Sequence, residues 1–206
     1  MKTHVLVAGV AVLLLAPFAG RAADVAEPRT GVRFPEHRDG MTLLGTGVRT
    51  RTFLKVKVYA IGLYVSDAAL AGPLARHRGR TTDPGFYREL VTGDFPKQVV
   101  MKFVRDTTAA QVRDAFYEAL PGVDRQRLDV FASHFGAPRS GDVYVVRWAP
   151  GGVLEVTAAG QPKQPIPDKT FSTAVFGIWL GEKPIQEDIK RGLVARAGQV
   201  FDRAPQ

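Results

Sequence analysis

Two long stretches of strand character, separated by almost nothing, constrain this chain most. Met41 to Thr52 and Leu54 to Ser66 are both rich in β-branched and aromatic residues. A link that short cannot make a crossover, so the two must lie antiparallel as a hairpin. Around it, Val32 to Phe34 begins a strand with "PEHRDG" as its turn, and "KQVVMKFVRD" reads as another. "DVYVVRWAP", a Pro-Gly-Gly turn and "VLEVTAAG" form a second hairpin.

Helical signals fall between and after the strands. "AALAGPLARHRGR" is a broken helix or loop, and "DPGFYRELV" is a short helix with Asp83 as cap and Pro84 at its first position. "TTAAQVRDAFYEAL" takes Thr107 or Thr108 as cap and presents Val112, Ala115, Phe116 and Ala119 as an apolar stripe. "DRQRLDVFASHFG" turns Leu128, Phe131 and Phe135 inward and stops at Gly136. "KTFSTAVFGIWLG" and "QEDIKRGLVARA" close the chain as two helices. The expected class is α+β, one domain over residues 23–206, with helices packed on one face of an antiparallel sheet.

Residues 1–22 stand apart. Lys2 and His4 precede the apolar run Val5 to Gly20, and small residues follow at Gly20, Ala22 and Ala23. That is the layout of a secretory signal peptide, and Pro17 interrupts a run already short for a membrane span. The expected mature protein is exported, periplasmic or secreted, with no stable span after cleavage; a retained anchor is the alternative. Its formal charge drops from +8 to +6, because Lys2 and Arg21 leave with the segment.

Composition and motifs exclude more than they announce. Cysteine is absent, which removes disulfides, thiol nucleophiles and thiolate metal sites. The basic residues are scattered without a block of like charge, so nucleic acid is not an expected partner. "GTGVRT" has Thr50 where a dinucleotide loop needs its third glycine, and it leads into a strand. No phosphate loop or GxSxG elbow occurs, and His37, His77 and His134 are isolated. No metal or cofactor is expected.

The hairpin's charges pose the functional question. Strand alternation places Lys55, Lys57, Tyr59, Ile61 and Leu63 on one face, with charge before Tyr59 and oil after it. That suits a strand running from a solvent lip into a covered cleft, with Ile61 on its wall. A hairpin centred on Leu54 sets Arg49 opposite Tyr59. Arg49 and Tyr59 could clamp a carboxylate or enolate oxygen with a charged fork and a single donor. They could equally stack on each other across an exposed sheet.

"LLGTGVRTRTFLKVKVYAIGLYV" together with the distant "FSTAVFGIWLGEKPIQEDIKRGL" resembles the chalcone isomerase family, from about Val32 to Ala197. The likeness is greatest to the chalcone isomerase-like branch, which includes plastid fatty-acid-binding proteins and exported bacterial relatives. It implies an open-faced β-sandwich, a large antiparallel sheet covered on one face by helices, with the ligand cleft between. The isomerases' strand arginine matches Arg49, whereas their strand threonine falls on Tyr59. Their helix tyrosine falls at or beside Val112, their asparagine near Glu118, and their late hydroxyl on Ile178. One of five is kept. In the fatty-acid-binding branch an arginine and a tyrosine from these two strands hold the carboxylate, and Arg49 and Tyr59 both fit. Apolar Val112 and Ile178 suit an acyl chain better than a polyphenol.

The resemblance therefore implies an exported, non-catalytic protein that binds a small apolar acid such as a fatty acid through Arg49 and Tyr59, with Ile61, Val112 and Ile178 lining the pocket. The alternative is an intramolecular lyase closing a chalcone to a flavanone with Arg49 and Tyr59. A scaffold with a vestigial pocket is a third possibility. Export has its own check: sequencing the N-terminus of the secreted protein should find it near Ala23, and membrane-bound protein retaining residues 5–20 would contradict it.

Overall fold

The computed structural model describes residues 23–52 and 54–203. The expected signal peptide lies outside the described residues. β1 (Asp24–Ala26) and β2 (Arg33–Pro35) pair as a small antiparallel ribbon. β3 (His37–Arg38), β4 (Met41–Arg51), β5 (Val56–Ser66), β6 (Lys97–Phe103), β7 (Val143–Ala149) and β8 (Val153–Ala158) follow one another in a continuous antiparallel sheet. β9 (Gln161–Pro162) and β10 (Ile166–Pro167) both pair with β8.

The helices are α1 (Asp67–Ala71), α2 (Pro84–Thr92), α3 (Ala109–Ala119), α4 (Arg125–Ser133), α5 (Lys169–Leu180), α6 (Glu187–Gly192) and α7 (Ala197–Arg203). Their apolar sides and one face of the sheet enclose the main core, from Leu44 and Leu63 on the strands to Phe131, Phe176 and Phe201 on the helices. The stripe of α3 closes on this core through Val112 and Phe116, and Thr108 with Gln111 forms a reciprocal capping box at its start. Asp83 holds the cap position of α2, but its side chain makes no cap hydrogen bond.

The opposite face is covered in part. Phe34 from the β1–β2 ribbon joins Met41, Leu43, Ala60, Tyr64 and Val100 in a second, smaller buried cluster. β1 has no clear signal in the sequence, because three residues are too few to show a period.

Two departures from the sequence reading and one packing feature are located along the β4–β5 hairpin. First, Arg49 pairs with Tyr59, but the next pair is Thr50 with Lys57, so Val58 is an extra residue in β5. This bulge reverses the alternation. Val56 and Val58 join Tyr59 on the helix side, whereas Lys57 reaches the Arg29 carbonyl. Lys55 and Lys57 do not share a cleft-facing row with Tyr59. Second, Leu44 is likewise extra in β4, and its carbonyl accepts from Arg196 N–H at 2.8 Å. That bond draws the chain out of helix after Gly192, so the helix expected over residues 186–197 ends there, and α7 is a further helix beyond it that the sequence reading did not name.

Third, the glycines of "GTG" serve packing. An added Cβ at Gly45 would overlap the Gly192 carbonyl oxygen and lie 2.8 Å from the Leu193 carbonyl carbon. One at Gly47 would lie 3.3 Å from Ile189 Cα. α6 thus rests with backbone against backbone on β4, and no flexible side chain is present to give way. Lys97 is the other unusual element of this core. Its ammonium is enclosed over Trp148 at 3.9 Å and donates to the Gly93 carbonyl at 2.6 Å. Burial pushes its pKa down to about 7, while Asp94 and Glu89 pull it up.

Gly45→Ala should accordingly destabilise the protein by about 1–3 kcal/mol, as overpacking of a closed interface does. Denaturant unfolding of wild type and variant measures it. A stability equal to wild type would mean that α6 can lift without loss.

Candidate functional site

A cavity of about 500 Å³ opens where the sheet and the helices diverge, at the end of the β4–β5 hairpin. Its sheet wall is Arg49, Val56, Val58 and Tyr59 with Met101 and Phe103 of β6. Val112 and Phe116 of α3, Ile178 and Trp179 of α5, and Ile185 form the wall opposite. The lining is mainly apolar, and its charged groups other than the half-buried Arg49, namely Arg51, Arg105, Asp106 and Asp114, are exposed residues at the rim.

Arg49 and Tyr59 are register partners, so both side chains leave adjacent strands at one level. Arg49 Nη1 donates to the Ile185 carbonyl and to Gln186 Oε1, each at 3.4 Å. The same Gln186 oxygen accepts from Thr50 N–H at 3.1 Å and Thr50 Oγ1 at 3.3 Å. Gln186 therefore ties the end of β4 to the start of α6 and orients the guanidinium. Among the described residues Arg49 makes no ion pair, although Arg51 meets Glu118 at 3.7 Å and Arg29 meets Glu27 at 3.8 Å. A cation with only two long hydrogen bonds to neutral groups keeps most of its donor capacity for a ligand.

Tyr59 packs its ring against Phe103 at 5.5 Å between centroids. Trp179 Nε1 donates to its hydroxyl oxygen at 3.2 Å. With that oxygen serving as acceptor, the phenol's one proton is left to donate, and it has no other partner among the described residues. Burial raises the Tyr59 pKa, outweighing the Trp179 hydrogen bond and the Arg49 charge, which both lower it. The phenol is thus neutral at pH 7. Arg49 and Tyr59 together offer donors and no acceptor, which selects for an electron-rich oxygen.

Of the residues the sequence singled out, Arg49, Tyr59, Val112 and Ile178 come together in this cavity. Ile61 does not. It is fully buried opposite Gly47, where α6 rests on the sheet and leaves no open space. Sequence reasoning missed Trp179 and Gln186. Trp179 adjoins Ile178 in a motif already singled out, so a hydrogen-bonding residue there was within reach. Gln186 lies 137 positions from Arg49, and no periodicity connects them. No cluster of three or more His, Asp or Glu suited to a metal occurs among the described residues.

Comparison with known proteins gives a consistent picture. A family model described as chalcone isomerase-like matches residues 23–195. Fatty-acid-binding protein 2 of Arabidopsis thaliana is 26% identical over 205 residues, covering 86% of this chain and 52% of that protein. The chain thus spans about half the length of that relative. A chalcone–flavanone isomerase of Zea mays is 28% identical over 171 residues, covering 71% of this chain and 73% of the enzyme. The crystal structure of another Arabidopsis thaliana fatty-acid-binding protein superposes with a TM-score of 0.74. That match has 22% identity and covers 87% of this chain and all of the other, and at that identity the likeness is one of fold.

Trp179→Phe keeps a ring but removes the N–H that lowers the Tyr59 pKa. Tyr59 should then ionise at still higher pH, read by ultraviolet difference titration against Tyr59→Phe. An unchanged titration would show that the indole does not engage the phenol.

Proposed function

The chain belongs to the chalcone isomerase-like family, and from that premise we propose that it binds a small apolar carboxylate, such as a fatty acid, without turning it over. One observation carries this reading: Arg49, a cation with no carboxylate partner among the described residues, stands beside a phenol whose proton finds no acceptor among them, at the wall of an apolar cavity. A carboxylate would accept from both, and its hydrocarbon would occupy the space lined by Val58, Phe103, Val112 and Ile178. At about 30 Å³ per water-sized group, 500 Å³ takes on the order of sixteen such groups, the scale of a medium to long acyl chain. The fatty-acid-binding relatives favour the same ligand class. Export to the periplasm or beyond belongs to this proposal, on the strength of the N-terminal segment.

The isomerase relatives keep a second reading alive, in which Arg49 stabilises an enolate or phenolate and Tyr59 donates to it. Val112 and Ile178 weigh against it. They line the cavity, the resemblance implies that the isomerases carry hydroxyl groups at or beside these two positions, and these side chains can neither orient a polyphenol nor move a proton. Chalcone ring closure should not approach the acceleration of about 10⁶ or more expected of an enzyme. A robust, Arg49-dependent rate would reverse the ranking.

Calorimetric titration of a fatty acid and its methyl ester tests the clamp. Arg49→Ala removes a charge-assisted hydrogen bond worth about 1.5–3 kcal/mol, so affinity for the acid should fall roughly ten- to a hundredfold. Tyr59→Phe should cost about 0.5–1.5 kcal/mol, a smaller loss. The ester should bind wild type weakly and be nearly indifferent to Arg49→Ala. An Arg49→Ala protein that binds the free acid as tightly as wild type would end the clamp.

A further inference from the structure

The cations that made the hairpin unusual are only partly accounted for by the cavity. Arg49 faces it and Arg51 stands at its rim, but Lys55 and Lys57 do not line it. Both are exposed, and between Arg51 and Lys55 the tip projects Leu54, which is 70% exposed. Only Val130 joins it as an exposed large apolar residue among the described residues. The turn is held by Lys55 N–H donating to the Thr52 carbonyl at 3.0 Å, with both residues at positive φ, 65° for Thr52 and 51° for Lys55. For residues that are not glycine this is a strained arrangement, and it keeps Leu54 in solvent.

We propose that this tip, Leu54 with Arg51, Lys55 and Lys57 around it, is a docking point for an anionic lipid surface. The inference rests on reading the cavity as a site for a fatty acid. Such a ligand resides largely in bilayers, and the tip lies at the cavity mouth, with Thr52 and Val56 on the lining. A leucine can enter the headgroup region while lysines and arginine beside it meet lipid phosphates. The formal charge of +6 that residues 23–206 carry adds long-range attraction of the same sign. Arg51 is already paired with Glu118 at 3.7 Å, whereas Lys55 and Lys57 make no ion pair among the described residues. Asp106 and Asp114 lie beside Arg105 elsewhere on the rim, so the lysine side of the hairpin tip is the side that approaches the surface. Docked in this way, the cavity mouth lies level with the carboxylates of the outer leaflet, and the acid passes to Arg49 without crossing water.

Sedimentation with phosphatidylcholine vesicles, with and without phosphatidylserine, is the test, run beside titration of free fatty acid in vesicle-free buffer. Wild type should bind the anionic vesicles, with affinity falling as salt rises, and leave the neutral ones. Each basic group near such a surface is worth about fivefold, so Lys55→Glu combined with Lys57→Glu should weaken vesicle binding by about 25-fold or more. Leu54→Ser should weaken it roughly tenfold. All three changes should leave affinity for the acid in vesicle-free buffer within about twofold of wild type. Equal binding to neutral vesicles, or tip variants that bind like wild type, would overturn the docking point. Failure to bind acid in vesicle-free buffer, with tip-dependent vesicle binding intact, would instead remove the fatty-acid reading and leave the docking point standing.

Discussion

Backbone contact between α6 and β4 is the constraint on which the site depends. Gly45, Gly47 and Gly192 remove the side chains that would hold strand and helix apart. The segment entering α6 is thereby pressed against the end of β4, where Gln186 takes three donors from Arg49 and Thr50. The guanidinium's direction is set by a residue far along the chain, and only because two backbones meet without spacers. Ile61 is sealed by the same approach, so the contact that orients Arg49 also marks where the cavity ends.

The bulge at Val58 completes the division of the hairpin. An unbroken alternation would line the cleft with Lys57 beside Tyr59. With one residue inserted, Val56 and Val58 face the cavity and Lys57 turns to the ribbon side. One extra residue thus keeps the cavity oily up to the level of Arg49 and Tyr59 and moves the remaining charge outside.

Two cations on the helix side of the sheet show why placement decides role. Lys97 is fully enclosed, its ammonium satisfied by the Gly93 carbonyl and the Trp148 ring, and nothing from solvent can reach it. Arg49 borders open space and, among the described residues, is met only by long bonds to neutral oxygens. Lys97 is packing chemistry; Arg49 is available chemistry. Trp179 gives Tyr59 the same availability by filling the acceptor side of its hydroxyl.

Much of the fold was legible in the sequence because its signals are local. Hairpins, the α3 cap and stripe and the order of strands and helices follow from alternation, period and turn residues within short windows. Arg49 opposite Tyr59 was reached by counting about Leu54, although the strands near the tip pair Thr50 with Lys57 and Arg51 with Val56, and it is the bulge at Val58 that brings Arg49 level with Tyr59. Bulges at Leu44 and Val58 were not legible, because an inserted residue leaves the composition of a strand unchanged and shows only in its partner's register. The face of Lys57, the exclusion of Ile61, the break after Gly192 and the bonds of Gln186 and Trp179 to the clamp were decided by tertiary structure alone. Each rests on groups that meet only when distant segments pack, and no local pattern records how closely two backbones will approach.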